Sequence, residues 1–280
     1  MENDTILQTK LYYKNKNVEL YNGDCEEVMT LMSKYNKKVD KIITSPPYNI
    51  IRPNSTDRGY DLYQDGMSNE DYCNWMIRIF NLYDKILNIN GCIMFNLSYG
   101  TENTTIMNEA VYSIIKNTNF TLADIIIWKK QNATPNNMSP NKMTRICEFI
   151  YVFCRKGEFN SFTSNKKVVS ERETGQQVYE NIFNFIEAKN NDYSSELNKA
   201  TFSSQLVKEL IKRYVKKTDI VMDNFSGTGT TIYECDRENI KSVGIELSEL
   251  QCKETKDRLN GITPFDRKKI DEGQMNMFTD

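Results

Sequence analysis

Lys41-Ile42-Ile43-Thr44-Ser45-Pro46-Pro47-Tyr48-Asn49 is the stretch on which the reading of this chain turns. The apolar run after Val39 and Asp40 predicts a buried strand, and Pro46-Pro47 must end it, because proline has no N–H to give to a ladder. Each proline holds φ near one value and narrows the residue before it, so the Ser45 hydroxyl and the Pro46 carbonyl sit on backbone with little freedom. Tyr48 adds a flat ring at the same mouth. A hydroxyl, a fixed carbonyl and an aromatic face suit a planar molecule whose exocyclic amine needs hydrogen-bond acceptors. A strand closed by a proline turn with a packing tyrosine is the plainer reading, and on this stretch alone the two stand side by side.

Upstream, Val18-Glu19-Leu20-Tyr21 predicts a strand, Asn22-Gly23-Asp24 a turn, and 25–32 a helix with Val28, Met29 and Met32 at helical spacing. With the strand before Ser45 this makes a βαβ unit of right-handed crossover, and it puts Asp24 at the carboxyl edge where open α/β sheets bind ligands. Downstream, 54–66 reads as a polar loop able to close over a ligand. Ser68 then caps a helix whose Tyr72, Trp75, Met76, Ile79, Phe80, Tyr83 and Leu87 share one face until Asn90-Gly91. Apolar strands are expected at 92–97, 123–128 and 149–153, with a helix near 105–116. Short buried strands alternating with amphipathic helices predict a mainly parallel, doubly wound α/β sheet.

Between 129 and 172 nine lysines and arginines face three glutamates, a local excess of +6 in a chain of net charge −2. Lys129, Lys130, Lys142, Arg145, Lys166, Lys167 and Arg172, with Asn132 in the amide-rich Gln131-Asn132-Ala133-Thr134-Pro135-Asn136-Asn137, are the candidate nucleic-acid contacts. From 157 to 198 periodicity weakens, and a small, partly irregular inserted module is expected there in place of another sheet element. Next come an amphipathic helix carrying Leu206, Val207, Leu210, Ile211 and Tyr214, and a strand at 218–222. That strand ends in Asp223-Asn224-Phe225-Ser226-Gly227-Thr228-Gly229-Thr230-Thr231, where glycines allow close approach of backbone and a helix start offers its positive end to a carboxylate. Neither a phosphate-loop lysine nor the third glycine of a dinucleotide fingerprint is present. The following strand ends in Glu246, nineteen positions after Gly227, placed to take both hydroxyls of a ribose. A ribose and a carboxylate without a phosphate-binding lysine point to S-adenosylmethionine.

The 280 residues contain no histidine, which removes histidine acid/base chemistry, the serine triad and most zinc sites, and no metal is expected. Seven cysteines, none in a Cys-x-x-Cys pair, read as reduced core thiols of a cytoplasmic protein. The amino terminus lacks the pattern of a signal peptide, and no apolar run is long enough to span a bilayer, so no membrane partner is expected.

Thr44-Ser45-Pro46-Pro47-Tyr48 and Asp223-Asn224-Phe225-Ser226-Gly227-Thr228-Gly229-Thr230-Thr231, in that order, resemble the β-class amino-group (N4-cytosine/N6-adenine) DNA methyltransferases of bacterial restriction–modification systems. The similarity runs from about Val18 to Leu259 and includes Asn22-Gly23-Asp24 and Ala200-Thr201-Phe202. It implies a Rossmann-like, circularly permuted S-adenosylmethionine-dependent methyltransferase fold. Residues 1–156 and 199–260 would form the two parts of the catalytic domain, 157–198 a target-recognition insertion, and 261–280 a polar tail. By the same resemblance Asp24 and Glu246 contact the adenosine. Asp223, Phe225, Ser226, Gly227, Gly229, Thr230 and Thr231, with Thr201 and Phe202, surround the methionine part. Ser45, Pro46, Pro47 and Tyr48 hold a base flipped out of double-stranded DNA. The chain departs from the family pattern at Asn224, where proline is usual and an amide is expected to loosen the loop, and at Lys199 and Ser203, which replace prolines beside Phe202.

Serine at the head of the acceptor motif is commoner among enzymes making N4-methylcytosine, so cytosine is favoured over N6-adenine. A non-catalytic sensor binding S-adenosylmethionine and nucleic acid, and an amine methyltransferase acting on RNA or protein, are the competing readings. A homodimer is compatible with the sequence. Gln274-Met275-Asn276-Met277-Phe278 resembles sliding-clamp-binding peptides, beside the plainer reading of a disordered end.

Overall fold

The computed structural model describes residues 5–49, 66–100, 103–133, 135–136, 139–190, 195 and 201–262. The predicted loop at 54–66, except Gly66, and the clamp-like tail peptide lie outside these residues. In chain order the elements are α1 (Thr5–Thr9), β1 (Leu11–Lys14), β2 (Val18–Asn22), α2 (Cys25–Lys34), β3 (Val39–Thr44), α3 (Asn69–Ile86), β4 (Leu87–Leu97), α4 (Ile106–Asn117), β5 (Phe120–Lys130) and β6 (Cys147–Arg155). They continue with β7 (Val168–Glu171), β8 (Gln177–Tyr179), β9 (Phe185–Ala188), α5 (Ser204–Tyr214), β10 (Ile220–Asp223), α6 (Thr230–Arg237), β11 (Lys241–Glu246) and α7 (Glu249–Leu259).

One nine-stranded sheet runs in the order β1-β2-β11-β10-β3-β4-β6-β5-β9. Strands β2, β11, β10, β3 and β4 are mutually parallel, and β6 is antiparallel to both its neighbours. Successive residues of the central strands go to opposite faces: Ile42, Met222, Ile93 and Phe95 join the core under α2, α3 and α4, while Ile43, Val221, Cys92 and Met94 join the core under α5 and α6. Both faces are covered, which is why these strands read as continuous apolar runs and not as alternating ones. The sheet is thus doubly wound and mostly parallel, as expected. Among the described residues no helix is long and apolar enough to cross a membrane. All seven cysteines are unpaired, and burial pushes the Cys25 and Cys252 thiols up to about 12, so they pack as inert apolar groups.

Two expectations change. The third helix ends at Ile86 and not at 90–91, and Leu87 already pairs with Val39 of β3. Arg155 of β6 explains the early stop: its guanidinium donates to the carbonyls of Asp84 (2.9 Å), Leu87 (2.7 Å) and Asn88 (3.0 Å), satisfying the helix end. Within 157–198 there is also a further strand of the main sheet. β9 pairs with β5 in parallel, and β7 with β8 forms a separate hairpin. Four residues with alternating exposure were too short to give a period.

Candidate active site

Strands β3 and β10 lie side by side and parallel, so the proline turn and the glycine turn leave the sheet at the same edge. The two are joined directly: Thr44 Oγ1, at the end of β3, donates to Asp223 Oδ1 at the end of β10 over 2.7 Å. Helix α3 braces both. Tyr72 donates to the Pro47 carbonyl (2.7 Å), the Trp75 ring meets Phe225 edge-on at 5.5 Å, and Tyr83 donates to Asn224 Oδ1 (2.6 Å). The aromatic stripe, read from sequence as core, therefore also fixes the relative height of the two turns. Asn224, expected to loosen its loop, is buried and anchored through that tyrosine.

Around the proline turn, Ser45 is half-buried and its Oγ lies 3.1 Å from Tyr48 OH. Tyr48 OH donates to Glu148 Oε2 (2.9 Å), and Asn96 Nδ2 reaches both Tyr48 OH and Glu148 Oε2, the latter at 2.9 Å. Lys130 pairs with the other oxygen of Glu148. Asn49, fully buried at φ 54°, accepts from the N–H groups of Gly66 (3.0 Å) and Met67 (2.9 Å) and donates to the Met67 carbonyl (2.8 Å). It ties the end of the turn to the entry of α3. Sequence reasoning passed over Asn49, Asn96 and Glu148. A polar residue near the end of an otherwise apolar run, as Asn96 is in 92–97, was the available signal.

In the glycine turn, Gly227 (φ 53°) and Gly229 (φ 76°) take left-handed backbone, and Gly229 opens α6. Gly227 N donates to Glu246 Oε2 (2.7 Å) and Ser248 N to Glu246 Oε1 (2.9 Å), so Glu246 braces the turn from the end of β11. Asp24 is exposed at the neighbouring end of β2, where it caps α2 through Glu27 N (3.0 Å). Arg258 of α7, also missed from sequence, is buried against the Tyr233 ring at 4.3 Å and donates to Thr230 Oγ1 (3.0 Å), the Thr228 carbonyl (3.4 Å) and Ser204 Oγ (3.1 Å). Through Ser204 it holds the approach segment of buried Thr201 and half-buried Phe202 to the start of α6.

Asp223 is buried and accepts from Thr44 Oγ1, Thr231 Oγ1 (2.7 Å) and Phe225 N (3.1 Å). Burial outweighs these three donors and raises its carboxyl from 3.8 to about 6. Because the folded chain holds this proton more tightly than the unfolded one, the stability it contributes is fully present below about pH 4 and is lost as pH rises through about 6. Asp223→Asn keeps the three contacts with Thr231 turned to accept. Melting curves across pH are expected to show wild type losing stability relative to that variant between about pH 4 and 6, by on the order of 3 kcal/mol, and no further change above about 7.

The candidate nucleic-acid residues do not behave as one patch. Lys142, Arg145, Lys166, Lys167 and Arg172 are exposed, the last three in or beside the β7–β8 hairpin. Arg145 lies over the Tyr99 ring at 5.3 Å. Lys129 pairs with Glu187 at 3.0 Å, Asn132 Oδ1 accepts from Asn190 N (2.6 Å), and Lys130 is drawn inward to Glu148.

Residues 39–257 match the family model described as DNA methylase. The type II methyltransferase M.HinfI of Haemophilus influenzae is 24% identical over 262 residues, covering 86% of this chain and 68% of the relative. Among solved structures, that of the M1.HpyAVI–SAM complex aligns with a TM-score of 0.61 at 24% identity, over 87% of this chain and 99% of the other. The PvuII DNA methyltransferase, described as cytosine-N4-specific, aligns with a TM-score of 0.65 at 16% identity over 90% and 96% of the two chains. Both structures share the fold of this chain.

Proposed function

The chain belongs to the N6/N4 DNA methylase family, and on that premise we propose that it transfers a methyl group from S-adenosylmethionine to the exocyclic N4 of a cytosine flipped out of duplex DNA at a specific site. The observation that supports this best is the Thr44–Asp223 hydrogen bond, which sets an amine-accepting turn beside a glycine turn at one sheet edge. The donor set of the glycine turn fits the cofactor. Asp24, Asp223 and Glu246 supply carboxylates, α6 begins at Gly229 without a side-chain cap, and the nearby cation, Arg258, is already held by Thr228, Thr230 and Ser204. Such a set suits a molecule with ribose hydroxyls, an ammonium and a carboxylate and no phosphate.

When bound, S-adenosylmethionine supplies an electrophilic methyl group on a sulfonium. The task left to the chain is alignment and exclusion of water. Glu246, held at the end of β11 by the N–H groups of Gly227 and Ser248, is the carboxylate that accepts the ribose hydroxyls. An amine stacked inside a duplex cannot reach this edge, so the base must leave the helix, and the Tyr48 ring is the surface on which it stacks. Ser45 Oγ and the Pro46 carbonyl accept the two amine hydrogens, which turns the nitrogen lone pair toward the methyl group, and the surplus proton passes to water. Exposed Lys142, Arg145, Lys166, Lys167 and Arg172 supply phosphate contacts that position the duplex.

The test is incubation of the protein with tritiated S-adenosylmethionine and methylation-free genomic DNA, then digestion and mass spectrometry of the nucleosides. N4-methyldeoxycytidine is the expected product. N6-methyldeoxyadenosine would reassign the base, and label entering RNA or protein but not duplex DNA would refute the reading.

A further inference from the structure

Glu148 is a buried charge to which the transfer chemistry gives no role. It stands at the start of β6 with only 7% of its surface exposed, and its partners come from three other elements: Lys130 of β5 on Oε1, Asn96 of β4 and Tyr48 of the proline turn on Oε2. A carboxylate paired with an ammonium has lone pairs and no proton, so it can only accept. The single proton of Tyr48 is therefore committed to Glu148 over 2.9 Å. The contact between Ser45 Oγ and Tyr48 OH, at 3.1 Å, then needs Ser45 as donor. Asn96 cannot reverse this direction, because it faces Ser45, Tyr48 and Glu148 with its nitrogen, and its Oδ1 is buried with no hydrogen-bond partner among the described residues. Once its own hydrogen points at Tyr48, Ser45 has only lone pairs left for a group arriving from the open side.

We propose that Glu148, acting through Tyr48, sets the hydrogen-bond direction of Ser45 and makes its hydroxyl an obligate acceptor for the target amine. A free serine hydroxyl donates and accepts equally well, and donation would attract the nitrogen lone pair that must face the methyl group. Glu148 removes that wrong orientation. It is a positioning residue two hydrogen bonds from Ser45 and three from the amine, and its role rests on the methyltransferase reading proposed above.

The experiment measures single-turnover methylation of methylation-free genomic DNA with tritiated S-adenosylmethionine and enzyme in excess. Wild type, Glu148→Gln, Tyr48→Phe and the double variant are compared, with S-adenosylmethionine affinity of each as the report on folding. Glutamine offers both a donor and an acceptor and so no longer fixes the Tyr48 proton. Glu148→Gln is expected to slow transfer about tenfold at unchanged cofactor affinity, and to slow it no further in the Tyr48→Phe background, where the link is already cut. Should the lone charge of Lys130 unfold that variant, Lys130→Met/Glu148→Gln removes both charges, and the same tenfold loss is expected. A wild-type rate in the folded variant, or an equal loss with and without the Tyr48 hydroxyl, overturns the inference while leaving the methyltransferase reading intact. A wild-type protein that labels no duplex DNA overturns that reading itself.

Discussion

Replacing Ser45 by alanine lowers the single-turnover rate of methyl transfer by about 100-fold or more and leaves the affinity for S-adenosylmethionine within about twofold. The size follows from what the hydroxyl does. It is one of two acceptors that hold the amine hydrogens, and losing one fixed hydrogen-bonding group aimed at a reacting atom typically costs about 10² to 10³ in rate. The specificity of the loss follows from the fold. Thr44, and not Ser45, links the proline turn to Asp223, so the glycine turn keeps its support in the variant. Pro46→Ala retains the carbonyl and loosens only the backbone that carries it, so a smaller loss in the same step is expected. Rapid-quench assays with enzyme in excess, beside calorimetric titration of the cofactor, separate the two quantities. Equal rates for wild type and Ser45→Ala would remove the hydroxyl from the chemistry.

The two turns were legible because each depends on residues next to one another: paired prolines stop a strand whatever surrounds them, and Gly-x-Gly before a helix gives close approach locally. The two-faced sheet was legible because Ile42-Ile43 and Val221-Met222 leave no polar side to expose. What was hidden depends on contacts across the fold. The stripe Tyr72, Trp75, Tyr83 has the period of a core helix, and no spacing tells which of its polar ends meets Pro47, Phe225 or Asn224. A charge count from 129 to 172 treats Arg155, Lys130 and Arg172 alike. The structure uses the first to close a helix end and the second to neutralise Glu148, and leaves the third in solvent. Arg258 was equally silent. It lies on a helix so polar that an inward-facing arginine gave no pattern, and only the placement of α7 against the glycine turn brings it to Thr230.

That placement also makes Gly229 a position where adding one methyl group has a large structural effect. Its φ of 76° is strained for any residue with a side chain, and a Cβ there would lie 2.3 Å from Thr255 Cγ2 and 2.8 Å from Thr255 Oγ1. Thr255 cannot step aside: it is fully buried in α7, and its hydroxyl donates to the Gly227 carbonyl at 3.2 Å. An alanine must therefore push the turn off α7, carrying with it Gly227, whose N–H is held by Glu246. Left-handed backbone and overpacking together cost about 2 to 4 kcal/mol, a fall in Tm on the order of 5 to 10 °C for a domain of this size. Gly229→Ala is expected to show that fall and at least about tenfold weaker S-adenosylmethionine binding, because the displaced turn is the one proposed to hold the cofactor. Thr255→Ala in the same chain removes the two nearest atoms, the next being Thr255 Cβ at 3.0 Å, so it should restore part of both losses. The backbone strain would remain and keep the recovery incomplete. Recovery of Tm without recovery of cofactor affinity would separate the turn's packing from its binding role, and equal affinities in Gly229→Ala and wild type would place the cofactor elsewhere.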